Sequence, residues 1–228
     1  MKNKLNVLLG AACIIIALNA QPAHAQLVVF PDRASFDTTF SGANVENWDE
    51  YNPNTVLSNG TTTNGITYQT NSSNSALVTN NWLTSTGANG LGEQGITYFN
   101  TSDTITFTFA QPLNAFGIDI NTYTDKLVGD YTATLSNGSV IDSYPDSFPF
   151  NSTGEFIGLS DSTSFNSVTI TDTSSESYTL DTLRYVYAPQ SSSVVPEPST
   201  VGLMFVGLIA IAVFTIRRRV VQSQGVKS

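Results

Sequence analysis

The strictest constraint on the fold is an alternation of apolar and polar residues with a period of two. In the stretch 104–109, Ile105, Phe107 and Phe109 alternate with threonines. In an extended chain this spacing puts the three apolar side chains on one face and the threonines on the other, as in a strand that is buried on one side only. The period does not fit an α-helix, so the sequence predicts antiparallel β-structure.

Many other segments share this period. Predicted strands lie at 66–68, 96–98, 115–120, 131–135, 168–170 and 178–187, with weaker ones at 44–48, 76–78, 139–143 and 155–159. Asn137-Gly138 separates two of them, and both residues tolerate the positive φ of a tight hairpin turn. One helix is predicted, within 31–40. Short strands with turn signals between them predict an all-β fold, an antiparallel β-sandwich of jelly-roll type.

The first 25 residues have the parts of a secretory signal peptide. Lys2 and Lys4 precede an apolar run, and Ala23-His24-Ala25 has the small-x-small form that signal peptidase accepts, which predicts cleavage before Gln26. The alternative is a first transmembrane helix, but the apolar run is too short to span a bilayer well. Export by the Sec machinery and processing by signal peptidase are therefore expected.

The composition of residues 26–195 excludes several kinds of site. Three cations stand against 17 acidic residues, a formal charge of −14, and such a surface repels nucleic acid. The chain's one cysteine, Cys13, and one histidine, His24, both lie in the predicted signal peptide. The exported part therefore has no residue for a disulfide, a thiolate nucleophile, a Cys/His zinc site or a Ser-His-Asp triad. Divalent cations and neutral sugars are compatible partners.

Three features follow one another in the carboxyl-terminal segment. Pro196-Glu197-Pro198-Ser199 precedes the uncharged stretch 201–216, and Arg217-Arg218-Arg219 comes after it. A helix over 201–216 rises about 1.5 Å per residue to about 24 Å, near the short end of what a bilayer's hydrocarbon core of about 30 Å requires. A transmembrane helix is predicted there. The three arginines stay on the cytoplasmic side and leave the preceding domain outside.

This order of motif, apolar helix and basic tail resembles the PEP-CTERM sorting signal of Gram-negative bacteria. The resemblance implies that the chain is processed by an exosortase, a membrane cysteine protease-transpeptidase. The helix would hold the protein in the inner membrane for a time, and cleavage near the Pro-Glu-Pro would release it to the envelope or the extracellular matrix. A permanent anchor is the alternative. The predicted organisation is a signal peptide, an extracytoplasmic β-sandwich, a linker, a sorting signal and a cytoplasmic tail, at 1–25, 26–188, 189–195, 196–219 and 220–228.

The segments 154–159, 167–170 and 178–183 resemble lectin-type and carbohydrate-binding jelly rolls that occur among such sorted proteins. In calcium-binding jelly rolls, acidic residues near an early strand and an aspartate of the last strand share one ion. The matching positions are Glu46, Asp49 and Asp181, so structural Ca²⁺ is the one cofactor that the resemblance implies. The alternative is that Asp181 faces solvent or accepts backbone amide hydrogens.

The sequence leaves three functions open. The favoured one is a non-enzymatic structural or adhesive component of the envelope or of an exopolysaccharide-rich biofilm matrix. The second is a carbohydrate-binding module, for which Trp48, Trp82 and Tyr123 are candidate sugar platforms, unless they belong to the core.

The third function is a secreted glycoside hydrolase. Such an enzyme needs two carboxylates about 5 to 10 Å apart in a cleft. The acidic residues around the turn that follows residue 120 are Asp119, Asp125 and Asp130, and nothing in their spacing singles out a pair. No catalytic residue is therefore predicted.

Overall fold

The computed structural model describes residues 26–123, 126–148 and 153–190. The predicted signal peptide with Ala23 and Ala25 lies outside the described residues. The same is true of the Pro196–Ser199 motif, the helix predicted at 201–216 and Arg217–Arg219. Within the three described ranges, no helix has the length and apolar character needed to cross a bilayer.

Thirteen strands and one helix are formed by the described residues. In chain order they are β1 Leu27–Phe30, α1 Arg33–Thr39, β2 Asn44–Glu46, β3 Val56–Leu57, β4 Thr62–Thr63, β5 Ile66–Thr70, β6 Ala76–Thr79, β7 Gly90–Glu93, β8 Thr104–Asn121, β9 Tyr131–Leu135, β10 Val140–Asp142, β11 Tyr144–Ser147, β12 Thr153–Asp172 and β13 Thr179–Tyr187.

Two long strands, β8 and β12, take part in both layers of the fold. In the first layer, residues 104–108 of β8 pair with residues 167–171 of β12, and β5 and β9 continue the layer on either side. In the second layer, residues 115–121 of β8 pair with residues 154–160 of β12 and with β13. A register irregularity in β12 between Ser160 and Ser167 separates the two halves.

The two layers enclose one apolar core. Phe107 of the first layer and Phe116 of the second are fully buried in the same cluster, with ring centroids 6.4 Å apart. Each strand pair of the described residues is antiparallel. The predicted all-β antiparallel sandwich is therefore confirmed.

The predicted hairpin at Asn137-Gly138 is confirmed. Strands β9 and β10 pair with each other, the Leu135 amide donates to the Ser139 carbonyl at 2.9 Å, and Gly138 has a φ of +91°. The predicted strand at 96–98 is wrong. The segment is a turn in which Thr97 has a φ of +71° and donates its amide to the Glu93 carbonyl at 2.8 Å.

Helix α1, predicted within 31–40, covers the outer face of the second layer. Its N-cap is Asp32, whose carboxylate accepts the Ser35 amide at 2.7 Å. Phe36 is fully buried between Phe30 and Phe156, with ring centroids 5.4 and 5.9 Å away. The helix thus places its first residue, Arg33, over the outward-facing side chains of β8.

Candidate aromatic binding site

Four loops meet where β8 ends and β13 begins. Trp82 comes from the loop between β6 and β7, Tyr98 from the β7–β8 loop and Tyr123 from the β8–β9 loop. The β12–β13 loop joins them, because the Thr122 hydroxyl donates to the Glu176 carboxylate at 2.7 Å. Three segments that are distant in sequence therefore bring aromatic rings to one end of the sandwich.

Trp82 is the centre of this group. Its ring lies 4.7 Å from that of Tyr98, centroid to centroid, at 34°, and 4.7 Å from that of Tyr123 at 89°. Trp82 and Tyr98 are half-buried, whereas Tyr123 is 57% exposed. We refer to Trp82, Tyr98 and Tyr123 as the aromatic cluster. Its chemistry is that of a rigid apolar surface with phenol groups at its edge, which suits stacking against another flat, amphipathic group.

Two of the three predicted platforms belong to this cluster, and Tyr98 was missed. The sequence placed Tyr98 in a strand at 96–98, which would have given it a regular position on a sheet face. Because the segment is a turn, the ring instead reaches Trp82. Gly95, three residues before Tyr98, is a turn signal in the sequence and has a φ of +97° in the structure.

Trp48 is not a surface platform, which corrects the prediction. Its side chain is fully buried in the core, and its indole N–H donates to the Tyr68 hydroxyl at 3.3 Å. The backbone of Trp48 has a φ of +59°, just after β2 ends at Glu46. Trp48 stands two residues after Glu46, whose side chain is also buried.

Asp181 accepts hydrogen bonds from the loop that precedes β7. One carboxylate oxygen accepts the Ser85 and Thr86 amides at 2.7 and 3.0 Å, and the other accepts the Thr182 amide at 2.6 Å. The alternative that Asp181 accepts backbone amide hydrogens is confirmed. These bonds explain how a carboxylate is tolerated in an apolar strand.

The other two carboxylates of the predicted calcium site bind different groups. Asp49 accepts the Ala88 and Asn89 amides at 3.0 Å each, and Glu46 accepts the Trp48 amide at 3.1 Å. In the part of the chain that the structure describes, no three acidic, histidine or cysteine side chains form a group that could hold a metal ion. The geometry therefore does not support an ion shared by Glu46, Asp49 and Asp181.

Asp119 lies beneath helix α1 and not in a cleft. Its carboxylate is fully buried and lies 2.8 Å from the Arg33 guanidinium and 3.5 Å from that of Arg184, while the Ser85 hydroxyl donates to it at 2.5 Å. Burial raises the pKa of Asp119 to about 7, although the two arginines and Ser85 oppose the rise. These contacts suit a structural ion-pair network.

Asp130 lies beside a different acid, Glu155. Burial raises the pKa of Glu155 to about 8; a hydrogen bond from the Ser143 hydroxyl opposes this rise and the adjacent Asp130 carboxyl adds to it. Glu155 is fully buried. The third candidate, Asp125, lies outside the described residues. Direct contact between the Glu155 and Asp130 carboxyls leaves no room for a sugar between them.

Two cavities occur elsewhere on the sandwich. One of about 160 Å³ lies against the hairpin and is lined by Pro112, Ser136, Asn137, Ser164, Phe165 and Asn166. The other, of about 350 Å³, lies beside α1 and is lined by Asp37, Phe40, Ser41, Ala43, Val45 and Arg184. Neither of these two cavities is lined by a pair of carboxylates.

Comparison with known protein families gives a match at the carboxyl terminus, over residues 194–219. The chain carries a PEP-CTERM protein-sorting motif. The PEP-CTERM motif covers the Pro-Glu-Pro, the apolar stretch and the arginines, so the predicted resemblance is confirmed. It implies export, transient anchoring at the carboxyl terminus and processing by an exosortase. No curated protein matches the chain.

The sandwich has weak similarity to solved structures of sugar-binding and sugar-cleaving proteins. A family 6 carbohydrate-binding module shares 15% identity at a TM-score of 0.34, over 64% of this chain and 94% of that one. The exo-β-1,3-galactanase of Phanerochaete chrysosporium shares 16% identity at a TM-score of 0.32, over 63% of this chain and 29% of that one. The catalytic domain of a GH87 α-1,3-glucanase shares 12% identity at a TM-score of 0.30, over 65% of this chain and 31% of that one. The chain spans less than a third of the two hydrolases, and at these TM-scores the similarities carry no argument about function.

Proposed function

We propose that this protein is exported, processed by an exosortase and delivered to the envelope or extracellular matrix of a Gram-negative bacterium, where its β-sandwich is a non-enzymatic structural or adhesive component. The observation that carries the proposal is the PEP-CTERM motif at 194–219. The motif concerns delivery, and the role of the sandwich is inferred from its own residues.

The route follows from the two ends of the chain. Sec export and cleavage before Gln26 free the amino terminus, and the apolar stretch 201–216, for which the sequence predicts a helix, stops transfer in the inner membrane. Arg217–Arg219 hold the tail in the cytoplasm. The Pro-Glu-Pro of residues 196–198 then faces the exosortase, and its two prolines keep the chain extended for cleavage.

The carboxylates support a structural role. Asp119, Asp181 and Glu155 are buried and are held by arginines, backbone amides and hydroxyls. A general acid and base must instead reach a substrate in a cleft. The charge of −14 over residues 26–195 suits a soluble surface domain that does not bind nucleic acid.

The mass of the intact protein tests the proposed route. It is measured for the envelope-associated and the released protein, in cells with and without the exosortase. We expect a released form that starts at Gln26 and lacks residues 201–216, and that requires the exosortase. Pro196→Ala should reduce its amount, whereas Pro189→Ala, a proline outside the motif, should not. A mature protein that keeps 201–216 in both strains would contradict exosortase processing.

A second candidate function is carbohydrate binding, and the aromatic cluster favours it. Three rings from separate loops meet at one end of the sandwich, and the most exposed is a tyrosine. Such a surface would let the displayed domain adhere to matrix polysaccharide. Retention of the protein on insoluble polysaccharides tests this function directly.

A further inference from the structure

We propose that the aromatic cluster binds an uncharged polysaccharide, with the Tyr123 ring as the surface on which a sugar stacks. This inference rests on the second candidate function, carbohydrate binding. It adds the place of the site, the residue that contacts the ligand and the charge class of the glycan.

The three rings have different parts in this site. Trp82 contacts Tyr98 and Tyr123, with both centroids 4.7 Å from its own, so much of its surface is already covered. Tyr123 is 57% exposed. Trp82 is therefore a positioning residue that holds Tyr123, Tyr98 packs against Trp82, and the exposed Tyr123 ring can meet a sugar. A tyrosine fixed in this way loses little conformational entropy on binding.

An acidic side chain is tied to the segment that carries Tyr123. Next to Tyr123, the Thr122 hydroxyl donates to the Glu176 carboxylate at 2.7 Å, and this bond ties the β8–β9 loop to the β12–β13 loop. Thr122 is buried and Glu176 is half-exposed, so the bond brings a negative charge close to the segment that carries Tyr123. The same carboxylate disfavours a uronic acid or a sulfated sugar.

The charge of the domain points to the same class of ligand. Lys126 is the one cation in the sequence between Arg33 and Arg184, and residues 26–195 carry a formal charge of −14. An acidic polysaccharide would be repelled by this surface at low salt. The ligand is therefore a neutral glycan.

One exposed ring gives weak binding at each site. A polysaccharide repeats its sugar units, and many copies of the protein in one matrix would bind it together with a higher overall avidity. An assay with the polymer is therefore more sensitive than one with a single sugar.

The test is electrophoresis of the full-length protein through native gels that contain a soluble polysaccharide. The protein is kept in a non-ionic detergent without a sugar headgroup, and the probes are hydroxyethylcellulose, xylan, galactan and the anionic alginate. We expect at least one neutral polymer to retard the wild type and alginate to have no effect. Tyr123→Ala should weaken the retardation at least tenfold, and Tyr123→Phe should keep most of it.

Val140→Ala is the matched control, because Val140 is 58% exposed and lies on β10, outside the cluster. It should migrate as the wild type does. If Tyr123→Ala is retarded as strongly as the wild type, the site is wrong although carbohydrate binding stands. If alginate is preferred, the charge class is wrong. If no polymer retards the wild type, carbohydrate binding itself fails, and the mass measurement still decides the sorting proposal.

Discussion

The Arg33 guanidinium lies 2.8 Å from the fully buried carboxylate of Asp119 and thereby fastens helix α1 to strand β8. Arg184 reaches the same carboxylate from β13 and also contacts Asp37 of the helix at 2.6 Å. Two of the three cations between residues 26 and 195 are thus used in one network. Its position under the helix indicates a structural role.

Removal of Arg33 should destabilise the fold. Loss of one partner leaves a buried carboxylate with less compensation, which costs about 3 kcal/mol. We expect Arg33→Ala to lower the free energy of unfolding in urea by about this amount. Lys126→Ala removes a loop cation and should change it by less than about 0.5 kcal/mol. Equal effects of the two substitutions would show that the Arg33–Asp119 contact contributes no stability.

The protein should become less stable as the pH rises from about 5 to 8.5. Burial raises the pKa of Asp119 to about 7 and that of Glu155 to about 8. A carboxyl with a raised pKa binds its proton more tightly in the native state, so its stabilising contribution is complete below its unfolded pKa near 4 and is lost as the pH rises through the folded pKa. Thermal melting across this pH range measures the fall in stability.

The variant Glu155→Gln separates the contribution of Glu155 to this pH dependence of stability from that of Asp119. It removes the titrating group and keeps an acceptor for the Ser143 hydroxyl, so the melting temperature should depend less on pH above 6. Glu50→Gln changes an exposed glutamate and should leave the pH profile as it is. A wild-type melting temperature that rises from pH 5 to 8.5 would contradict the raised pKa values.

The strands could be predicted from the sequence wherever the period of two is unbroken. The period changes between Leu113 and Phe116, both of which point into the shared core at an odd spacing. The sequence therefore divides β8 into two strands, although the chain continues through an irregularity. The same happens in β12. A β-bulge lets the strand continue but shifts the alternation of apolar and polar residues by one position. A prediction from periodicity alone therefore ends the strand at the bulge.

The site could be predicted only in part, because its contacts are long-range. Trp82 and Tyr123 were identifiable as aromatic residues in loops, but their meeting with Tyr98 depends on how three loops pack. The sequence leaves Trp48 as a platform or a core residue, and only the packing of the sandwich, which buries it fully, decides between the two. Nothing in the local sequence links Arg33 to Asp119, which are 86 residues apart.

The two tryptophans should respond differently to truncation. Trp48 is fully buried in the core, so Trp48→Ala removes a large side chain and should cost about 3 to 5 kcal/mol. Trp82 is half-buried at a loop end, and Trp82→Ala should cost clearly less. Urea unfolding of both variants measures the difference. A smaller loss of stability for Trp48→Ala than for Trp82→Ala would contradict the burial of Trp48 in the core.

Calcium should leave the stability unchanged. The carboxylates of Glu46, Asp49 and Asp181 already accept backbone amide hydrogens at 2.6 to 3.1 Å. We expect the melting temperature in excess Ca²⁺ and in EGTA to agree within about 1 °C, since an ion that binds the native state would raise it by mass action. A rise of several degrees with Ca²⁺ would restore the shared-ion hypothesis.

The hairpin between β9 and β10 should depend on Gly138. Its φ is +91°, and a Cβ atom at this position would meet nothing within 4 Å, so the cost of a side chain is conformational strain and not a clash. Gly138→Ala should lower the free energy of unfolding by about 1 to 2 kcal/mol. Gly42→Ala is the matched control, because Gly42 also has open space around it but no positive φ. There alanine restricts the unfolded chain, and we expect no loss or a gain of up to about 1 kcal/mol. Equal losses at Gly138 and Gly42 would mean that the turn does not require a left-handed residue.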